Sequence, residues 1–360
     1  MDFTLGGDRQ ALVDVLGRFL RERYSIAKRR DAAWEASGHD NRTWEQLAEI
    51  GAIGVLFDPL RGGFGGSPFD VLAVFECLGQ ALVSEPMLPV LMAGSVLPDS
   101  ELAAIISGER IVGMALFEPQ SRYDWRDIAT SASRDGDGWR LDGIKAVVSH
   151  VEAADALVVS ARDDNGQFGL FMVPLVSPGV VVRGYPTIDG QRAADVRLTG
   201  VRLARSARIG GEAEAERAVA VGTLALCAES LGVMTWLKDT TLEYLRTRVQ
   251  FGAPIGRNQA LQHRMAELLI EIEQARSSVI NAAAAMTVEP PARAMALAAA
   301  KYTIGVTATL VAEEAIQMHG GIGMTEELDM SHYAKRALMI DHQLGDADHH
   351  LSHYIALAAA

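Results

Sequence analysis

The sequence predicts a mainly helical protein with three parts: an N-terminal helical domain, a small antiparallel β-barrel or sandwich, and a C-terminal four-helix bundle. Three observations predict this order. The first third has apolar residues at helical spacing, the middle has short β-rich runs, and the last part has long helical patterns with short connections. The predicted domains are residues 1–110, 111–210 and 211–360, and a chain of 360 residues can form several cores.

The N-terminal domain is predicted to consist of helices separated by glycine-containing loops. Residues 8–24 carry an apolar face at i, i+3, i+4 and i+7 spacing, which is typical of an amphipathic helix. Thr43 and Gln46 have the spacing of a capping box at the start of a second helix. Ser67 followed by Pro68 marks the start of a third helix, because proline is favoured at the first helical position.

The middle domain begins where the hydrophobic period changes from that of helices to that of strands. Short runs rich in Val, Ile, Leu and Phe follow one another, separated by Gly, Asp and Asn. These short spacings favour hairpins, and therefore an antiparallel sheet or barrel of about 90 residues. The five runs are 111–118, 139–150, 155–162, 168–175 and 179–185.

The C-terminal domain is predicted to be a bundle of four long helices. Its first helix, residues 215–248, is apolar around nearly its whole circumference and should be buried on several sides. Three further helices are expected at 259–286, 292–320 and 331–360. Many alanines in these helices permit close approach, which both a tight core and an oligomer interface would use.

Composition excludes several classes of protein. A net charge of −13 provides no basic excess for binding nucleic acid. No secretory signal is evident and no apolar run reaches the ~18 residues of a membrane span, so we expect a cytoplasmic protein. Cys77 and Cys227 lie in apolar helical sequence, which predicts no disulfide. No metal is expected either, because no carboxylate ligand accompanies the histidines at 342, 349, 350 and 353.

Two glycine-bearing segments, 248–259 and 317–323, interrupt the bundle between helices. Singly, such a connection is more typical of a helix C-cap than of a binding loop. Their contents favour ligand binding, because Arg248 offers a planar fork to phosphate and Phe251 offers a ring face. Gln259 begins a helix whose N-terminus attracts anions, and the glycines of the second segment leave room for a ligand.

These two segments, together with the domain order, resemble the acyl-CoA dehydrogenase flavoprotein family over essentially the whole chain. The resemblance implies a tetramer or dimer of dimers that binds FAD. In it, both segments contact the pyrophosphate and adenosine of a flavin held mainly by the neighbouring subunit. The residues that the resemblance assigns to FAD are Arg248, Gln250, Phe251, Ile255, Asn258 and Gln259 in the first segment, Gln317, Met318, His319, Gly320 and Gly321 in the second, and Ser149 in the β domain.

The sequence departs from this family at the catalytic base. The family reaction removes an α-proton from an acyl-CoA thioester while a β-hydride passes to the flavin, which requires a carboxylate. Most members place this Glu where the present chain has Gln343 or Leu344, and a smaller group places it where the chain has Gly222. Glu229 and Asp346 are the candidates for a relocated base, and a surface or capping role is the alternative for each.

The flavin-facing part of the β domain departs as well. The family usually has a Thr-Glu-Pro motif followed by Gly-Ser-Asp near the first strand; residues 117–127 keep Glu118 and Pro119 but lose the Gly-Ser-Asp. Lys145 is kept in the next family motif, whereas Val147 replaces a Trp that commonly stacks on the flavin. The chain's own flavin cradle is therefore incomplete by this comparison, while the segments that contact a neighbour's FAD are intact.

Three hypotheses follow from this combination. In the first, the chain is the base-lacking subunit of an α2β2 acyl-CoA dehydrogenase, like relatives that dehydrogenate CoA thioesters of steroid side chains or dicarboxylic acids. Its partner would then be a homologous subunit, and an electron-transferring flavoprotein would be the electron acceptor. In the second, the chain forms a homotetramer with Glu229 or Asp346 as the base. In the third, it is a non-catalytic stabilising subunit.

Overall fold

A computed structural model of the chain describes residues 7–35 and 37–359. The first six residues, which contributed to the prediction that no secretory signal is present, lie outside the described residues. The helices are α1 (Gly7–Arg23), α2 (Ile26–Trp34), α3 (Asn41–Glu49), α4 (Pro68–Ala81), α5 (Met87–Gly94), α6 (Asp99–Ile106), α7 (Glu212–Thr247), α8 (Gln259–Ala285), α9 (Pro290–His319), α10 (Met330–His342) and α11 (Ala347–Ala358). The strands are β1 (Val112–Ala115), β2 (Ser131–Asp135), β3 (Gly138–Ser149), β4 (Ala156–Asp163), β5 (Phe168–Pro174), β6 (Val180–Pro186), β7 (Arg192–Leu203), β8 (Arg208–Gly210), β9 (Val249–Gln250) and β10 (Ala253–Pro254).

The chain folds into two compact units. The bundle unit contains the described residues up to Ile26, Pro68–Val83 and the chain from Thr223 onward. The sheet unit contains Ala27–Ser67 and Ser84–Gly222. The predicted fold class is confirmed, because helices precede a central sheet and further helices follow it.

Two helices before the sheet, α3 and α4, have starts that the sequence marks locally. Helix α4 begins at Pro68, as predicted. The predicted capping box at Thr43 and Gln46 is wrong, because the N-cap of α3 is Asp40. The Asp40 carboxylate accepts hydrogen bonds from the backbone N–H groups of Arg42 and Thr43 and from the Thr43 hydroxyl. Helix α3 therefore starts earlier than the capping-box pattern indicated.

The sheet unit is built on an eight-stranded mixed sheet with the order β6-β7-β3-β2-β4-β5-β8, with β1 paired to β4 beside this path. The pairs β1–β4 and β2–β4 are parallel, and the other pairs are antiparallel. Among the described strands no pairing closes the sheet into a barrel. This corrects the prediction of a purely antiparallel barrel or sandwich. The core of the sheet packs Trp139 edge-on against Phe171, with 5.2 Å between ring centroids.

The bundle unit requires glycine where α4 and α7 cross. A Cβ atom added to Gly79 would lie 2.0 Å from the carbonyl oxygen of Glu229, and one added to Gly232 would lie 2.1 Å from that of Glu76. The two backbones are therefore in direct contact, which only glycine permits. Helix α7 is buried along its middle, as its apolar circumference predicted.

The last predicted helix is two helices, so the bundle unit has α7 to α11 rather than four long helices. Leu344 (φ 57°) and Gly345 (φ 110°) turn the chain between α10 and α11. The buried Lys301 ammonium fastens this turn by donating to the backbone carbonyls of Asp341 (2.8 Å) and Gly345 (2.7 Å). Burial lowers the pKa of Lys301.

Two described helices, α7 and α9, are long and apolar enough to cross a membrane by length and composition alone, contrary to the sequence prediction. The most apolar window of α7 is 83% buried within the protein, whereas that of α9 is 50% buried. A buried core helix has the same length and composition as a membrane span, so these two properties alone are weak evidence for one.

Candidate cofactor-contact site

The first glycine-bearing segment forms a hairpin directly after α7. Strand β9 pairs with β10, and Phe251 (φ 53°) and Gly252 (φ 80°) form the turn between them. Two positive φ values are typical of the tight turn that matches the twist of a hairpin. The turn places the Phe251 ring at the tip of the hairpin, where it is fully exposed, with a relative accessibility of 105%.

Arg248 lies at the base of this hairpin with its backbone fixed. Its N–H donates to the carbonyl of Tyr244 (2.8 Å), and its own carbonyl accepts from Ile255 (2.9 Å). The side chains of Arg248 and Gln250 are exposed, and Ile255 is half-buried. No acceptor in the described part of the chain pairs with the Arg248 guanidinium, so the group is available to an anion.

The hairpin leads into the N-terminus of α8. Asn258 is the N-cap, and its side-chain oxygen accepts from the N–H of Ala260 (3.1 Å). Gln259 is the first helical residue, and both Asn258 and Gln259 are exposed. The N-terminus of a 27-residue helix carries a partial positive charge, and it lies close to Arg248 in the chain.

The second segment, residues 317–323, contains the end of α9 at His319 and most of the short helical turn Gly320–Met324. Gln317, Gly320 and Gly321 are exposed. A Cβ atom added to either glycine would meet no other part of the protein within 4 Å, so a ligand can approach the backbone there. Met318 and His319 are buried at 5% relative accessibility, so their side chains face the interior of the bundle unit.

The structure brings the two segments together within the bundle unit. Tyr244, one turn before Arg248, stacks on His319, with 4.2 Å between ring centroids. The exposed groups include a free guanidinium, a helix N-terminus, uncovered glycine backbone and one aromatic ring. These are the groups that bind a pyrophosphate and the adenosine attached to it, and they fit the adenosine diphosphate part of FAD.

Ser149 is not part of this cluster. It is the last residue of β3, in the sheet unit, and it pairs with Ala193 of β7. Two residues earlier, Val147 is 62% exposed with φ 53°, and its N–H donates to the Asp195 carboxylate (3.3 Å). Val147 thus presents an aliphatic side chain at the position where, by the family resemblance, a Trp is common.

Glu118 and Lys145 form a buried ion pair in the sheet unit, with 2.6 Å between Oε1 and Nζ. Glu118 also accepts from the N–H groups of Ala129 (2.8 Å) and Thr130 (3.1 Å), so it ties down both ends of the loop between β1 and β2. Burial alone would raise the pKa of Glu118, but the Lys145 ammonium and hydrogen bonds with Gln120, Lys145 and Thr130 lower it to about 2. Burial lowers the pKa of Lys145 to about 8, against the opposing effect of Glu118.

Glu229, the first candidate for a relocated base, is occupied by an ion pair. Its two carboxylate oxygens accept from Nε (2.6 Å) and Nη2 (2.8 Å) of Arg336 on α10. Both side chains are buried. A carboxylate held in this way would have to leave its partner before it could accept a substrate proton, so the geometry favours a structural role.

Asp346, the second candidate, is the N-cap of α11. Its carboxylate accepts from the N–H of His349 (2.8 Å). The neighbouring Gln343 and Leu344 lie in the turn that Lys301 fastens through Asp341 and Gly345. The segment that carries the base in most acyl-CoA dehydrogenases, by the resemblance, is here part of a helix connection.

Replacement of Asp346 by alanine should lower the free energy of unfolding by about 1 kcal/mol, because it removes an N-cap. Turnover of the assembled enzyme should remain within about twofold when measured below the unfolding temperature, since about 1 kcal/mol hardly depletes the folded population. Asp348→Ala, two residues further into the same helix, is the matched control. Loss of nearly all turnover with the helix intact would instead identify Asp346 as the base.

The histidines near the C-terminus do not converge on one point. His349 and His353 stack at 6.4 Å between ring centroids, and Nε2 of His350 lies 3.0 Å from the carbonyl of Leu344. Across residues 7–35 and 37–359, no three His, Cys, Asp or Glu side chains are grouped so that they could hold a metal ion.

Comparison with known families matches most of the chain. Residues 113–201 match the acyl-CoA dehydrogenase middle domain, and residues 209–353 match the acyl-CoA dehydrogenase C-terminal domain. Acyl-CoA dehydrogenase FadE27 of Mycobacterium tuberculosis is 27% identical over 363 residues, which cover 96% of each chain.

Solved structures match in fold over the whole chain. The ChsE4-ChsE5 complex from Mycobacterium tuberculosis matches with a TM-score of 0.92 and 27% identity, over 100% of this chain and 99% of that chain. A variant of the Tcur3481-Tcur3483 steroid ACAD matches with a TM-score of 0.91 and 29% identity, over 99% of each chain.

Proposed function

Because the chain belongs to the acyl-CoA dehydrogenase family, we propose that it is the subunit of a heteromeric, FAD-dependent acyl-CoA dehydrogenase that completes the partner's FAD site. The observation that carries this proposal is a contrast within one chain. The FAD-contact segments are exposed with Arg248 unpaired, whereas Glu229 is ion-paired and Gly222 and Gln343 supply no carboxylate. The partner subunit therefore contributes the base.

Each group of the cofactor-contact site has a separate task in this proposal. Arg248 binds the pyrophosphate by charge-assisted hydrogen bonds, and the N-terminus of α8 adds partial positive charge. The uncovered backbone at Gly320 and Gly321 lets the pyrophosphate approach the main chain, and the exposed Phe251 ring covers the adenosine. FAD, when bound, supplies the acceptor for the hydride that leaves the β-carbon of the acyl-CoA thioester.

The substrate in this proposal is an acyl-CoA with a steroid-like or other bulky acyl group. The support is that one structural neighbour is a steroid ACAD and another is a complex of two named components, ChsE4 and ChsE5. An aliphatic Val147 in place of a Trp also leaves more room on the sheet unit. We assign the reoxidation step to an electron-transferring flavoprotein and place the enzyme in the cytoplasm.

Expression alone and together with a homologous acyl-CoA dehydrogenase subunit encoded beside it tests the proposal. The chain alone should be colourless and inactive, whereas the copurified complex should show the absorbance of oxidised flavin and reduce an electron acceptor when given a steroid acyl-CoA. A yellow, active protein from this chain alone would contradict the proposal and favour a homotetramer. A yellow partner that is equally active without this chain would leave it only a stabilising role.

Arg248→Ala in that complex should weaken FAD binding by about 10- to 100-fold, because a charge-assisted hydrogen bond contributes about 1.5–3 kcal/mol. The dissociation constant is measured by titrating the FAD-free complex and following flavin fluorescence. Arg246→Ala is the matched control, since Arg246 is equally exposed two residues earlier and the family resemblance gives it no contact. Equal FAD affinity in both variants would contradict a shared FAD site.

A further inference from the structure

Tyr244 and His319 form a contact that links the two segments of the cofactor-contact site. Their rings stack with centroids 4.2 Å apart and planes inclined by 24°. The Tyr244 hydroxyl also donates to the backbone carbonyl of His319 at 3.4 Å. We name this pair the Tyr244–His319 clasp.

The His319 ring is fixed and uncharged at neutral pH. It is buried at 5% relative accessibility, and burial lowers its pKa. Its Nδ1 lies 2.8 Å from the carbonyl of Ala315, which can only accept, so Nδ1 carries the proton. The His319 ring therefore stacks on Tyr244 as a neutral imidazole held in one orientation.

Tyr244 lies four residues before the first segment, and His319 lies within the second. The carbonyl of Tyr244 accepts from the N–H of Arg248 (2.8 Å), so the ring and the guanidinium arise from the same helical turn. His319 immediately precedes Gly320, whose φ of 67° begins the exposed glycine backbone. The clasp therefore connects the helical turn that carries Arg248 to the residue that directly precedes the exposed glycine backbone.

We propose that Tyr244 and His319 are positioning residues that set the spacing between Arg248 and the Gly320–Gly321 backbone, so that both bind one pyrophosphate. This inference rests on the proposed function. The clasp borders a cavity of about 870 Å³, so one face of the contact has no packed neighbour that could replace a lost ring. Loss of the stack should therefore change the distance between the two segments.

The same cavity supplies a matched control. Trp236, two turns earlier on α7, stacks on Tyr333 with centroids 3.7 Å apart and planes inclined by 1°. This second stack lines the cavity as the clasp does, but neither of its residues adjoins either segment. Its removal should cost comparable stability without changing the spacing between Arg248 and the glycines.

The test measures FAD affinity and thermal unfolding of the complex for Tyr244→Leu, His319→Leu and Trp236→Leu. An aromatic pair contributes about 0.5–1.5 kcal/mol, so each clasp variant should bind FAD about 3- to 10-fold more weakly. Trp236→Leu should lower the unfolding temperature similarly and change FAD affinity less than about twofold. Tyr244→Phe and His319→Phe keep the ring contact and should retain most of the affinity.

The outcomes separate the inference from the proposed function. If Arg248→Ala weakens FAD binding but Tyr244→Leu and His319→Leu do not, the clasp has no positioning role and the proposed function stands. If all three Leu variants lose affinity in proportion to stability, the inference is likewise overturned. If Arg248→Ala leaves FAD binding unchanged, the proposed function fails and the inference fails with it.

Discussion

Arg336→Met is expected to lower the free energy of unfolding by about 3–5 kcal/mol, because it leaves a buried carboxylate without its partner. Arg336 is 2% exposed, and its guanidinium holds both oxygens of Glu229. Denaturant unfolding followed by circular dichroism measures the change. Arg276→Met is the matched control: Arg276 holds both oxygens of Glu76, but with 27% of its side chain exposed, so we expect about 1 kcal/mol or less.

The double variant Glu229→Leu/Arg336→Met should recover most of the lost stability, because two apolar side chains of similar size replace a fully desolvated pair. Recovery would show that the cost of Arg336→Met came from the stranded carboxylate. An equally unstable double variant would instead mean that Arg336 contributes mainly by its packing.

The same ion pair provides a test of where the catalytic base resides. Glu229→Gln keeps the size of the side chain and the acceptor for one Arg336 hydrogen bond, so the assembled enzyme should retain most of its turnover with FAD bound. A loss of several orders of magnitude with FAD retained would place the base on this chain after all. Measuring flavin content together with turnover separates that result from a loss of the cofactor.

The order of helices, central strands and further helices was predicted from the sequence, because it depends on local patterns. Apolar spacing identifies α1, α7, α8 and α9. The segments 248–259 and 317–323 could be recognised because each is a continuous stretch of the chain. Strands β2, β7 and β8 were missed. Strand β7 alternates buried residues such as Val196 with exposed or half-buried charged residues such as Arg197, so it has no apolar run longer than two residues although it lies between β3 and β6.

Pairings between distant residues could not be predicted. Glu229 and Arg336 are 107 residues apart, and their contact depends on the register of α10 against α7. Tyr244 and His319 are 75 residues apart, and no sequence pattern associates them. The burial of Lys301 could not be predicted either, because a single lysine in an alanine-rich helix is typical of a solvated position rather than a buried one.

The turn between α10 and α11 is held by structural contacts close to the position where the family resemblance places the base. Gln343 or Leu344 stands where the family resemblance expects the base, and the next residue, Gly345, is bound through its carbonyl to Lys301. Asp346 is committed to capping α11. The carboxylate of Asp346 is therefore engaged in a structural contact, and the turn itself is held through backbone carbonyls.

Lys145→Met is the second variant with a large expected effect, a loss of about 3–5 kcal/mol in the free energy of unfolding at pH 7. Lys145 is fully buried, with Nζ bound to Glu118 (2.6 Å), to the Ser160 hydroxyl (2.9 Å) and to a backbone carbonyl. Its removal leaves Glu118 buried with only neutral donors. Lys335→Met, on the exposed pair with Glu326, is the control and should cost about 1 kcal/mol or less.

The pH dependence of this loss in unfolding free energy tests whether the Glu118–Lys145 ion pair is its cause. The pKa of Glu118 is about 2 in the folded protein against an ordinary 4.5, so its stabilising contribution is complete above pH 4.5 and is lost as the pH falls through 2. Without Lys145 most of this contribution is absent at every pH. The difference in unfolding free energy between wild type and Lys145→Met should therefore shrink as the pH is lowered from 5 towards 2, because protonated Glu118 no longer distinguishes the two proteins. A difference that stays constant over this range would show that lost packing, and not the stranded carboxylate, destabilises the variant.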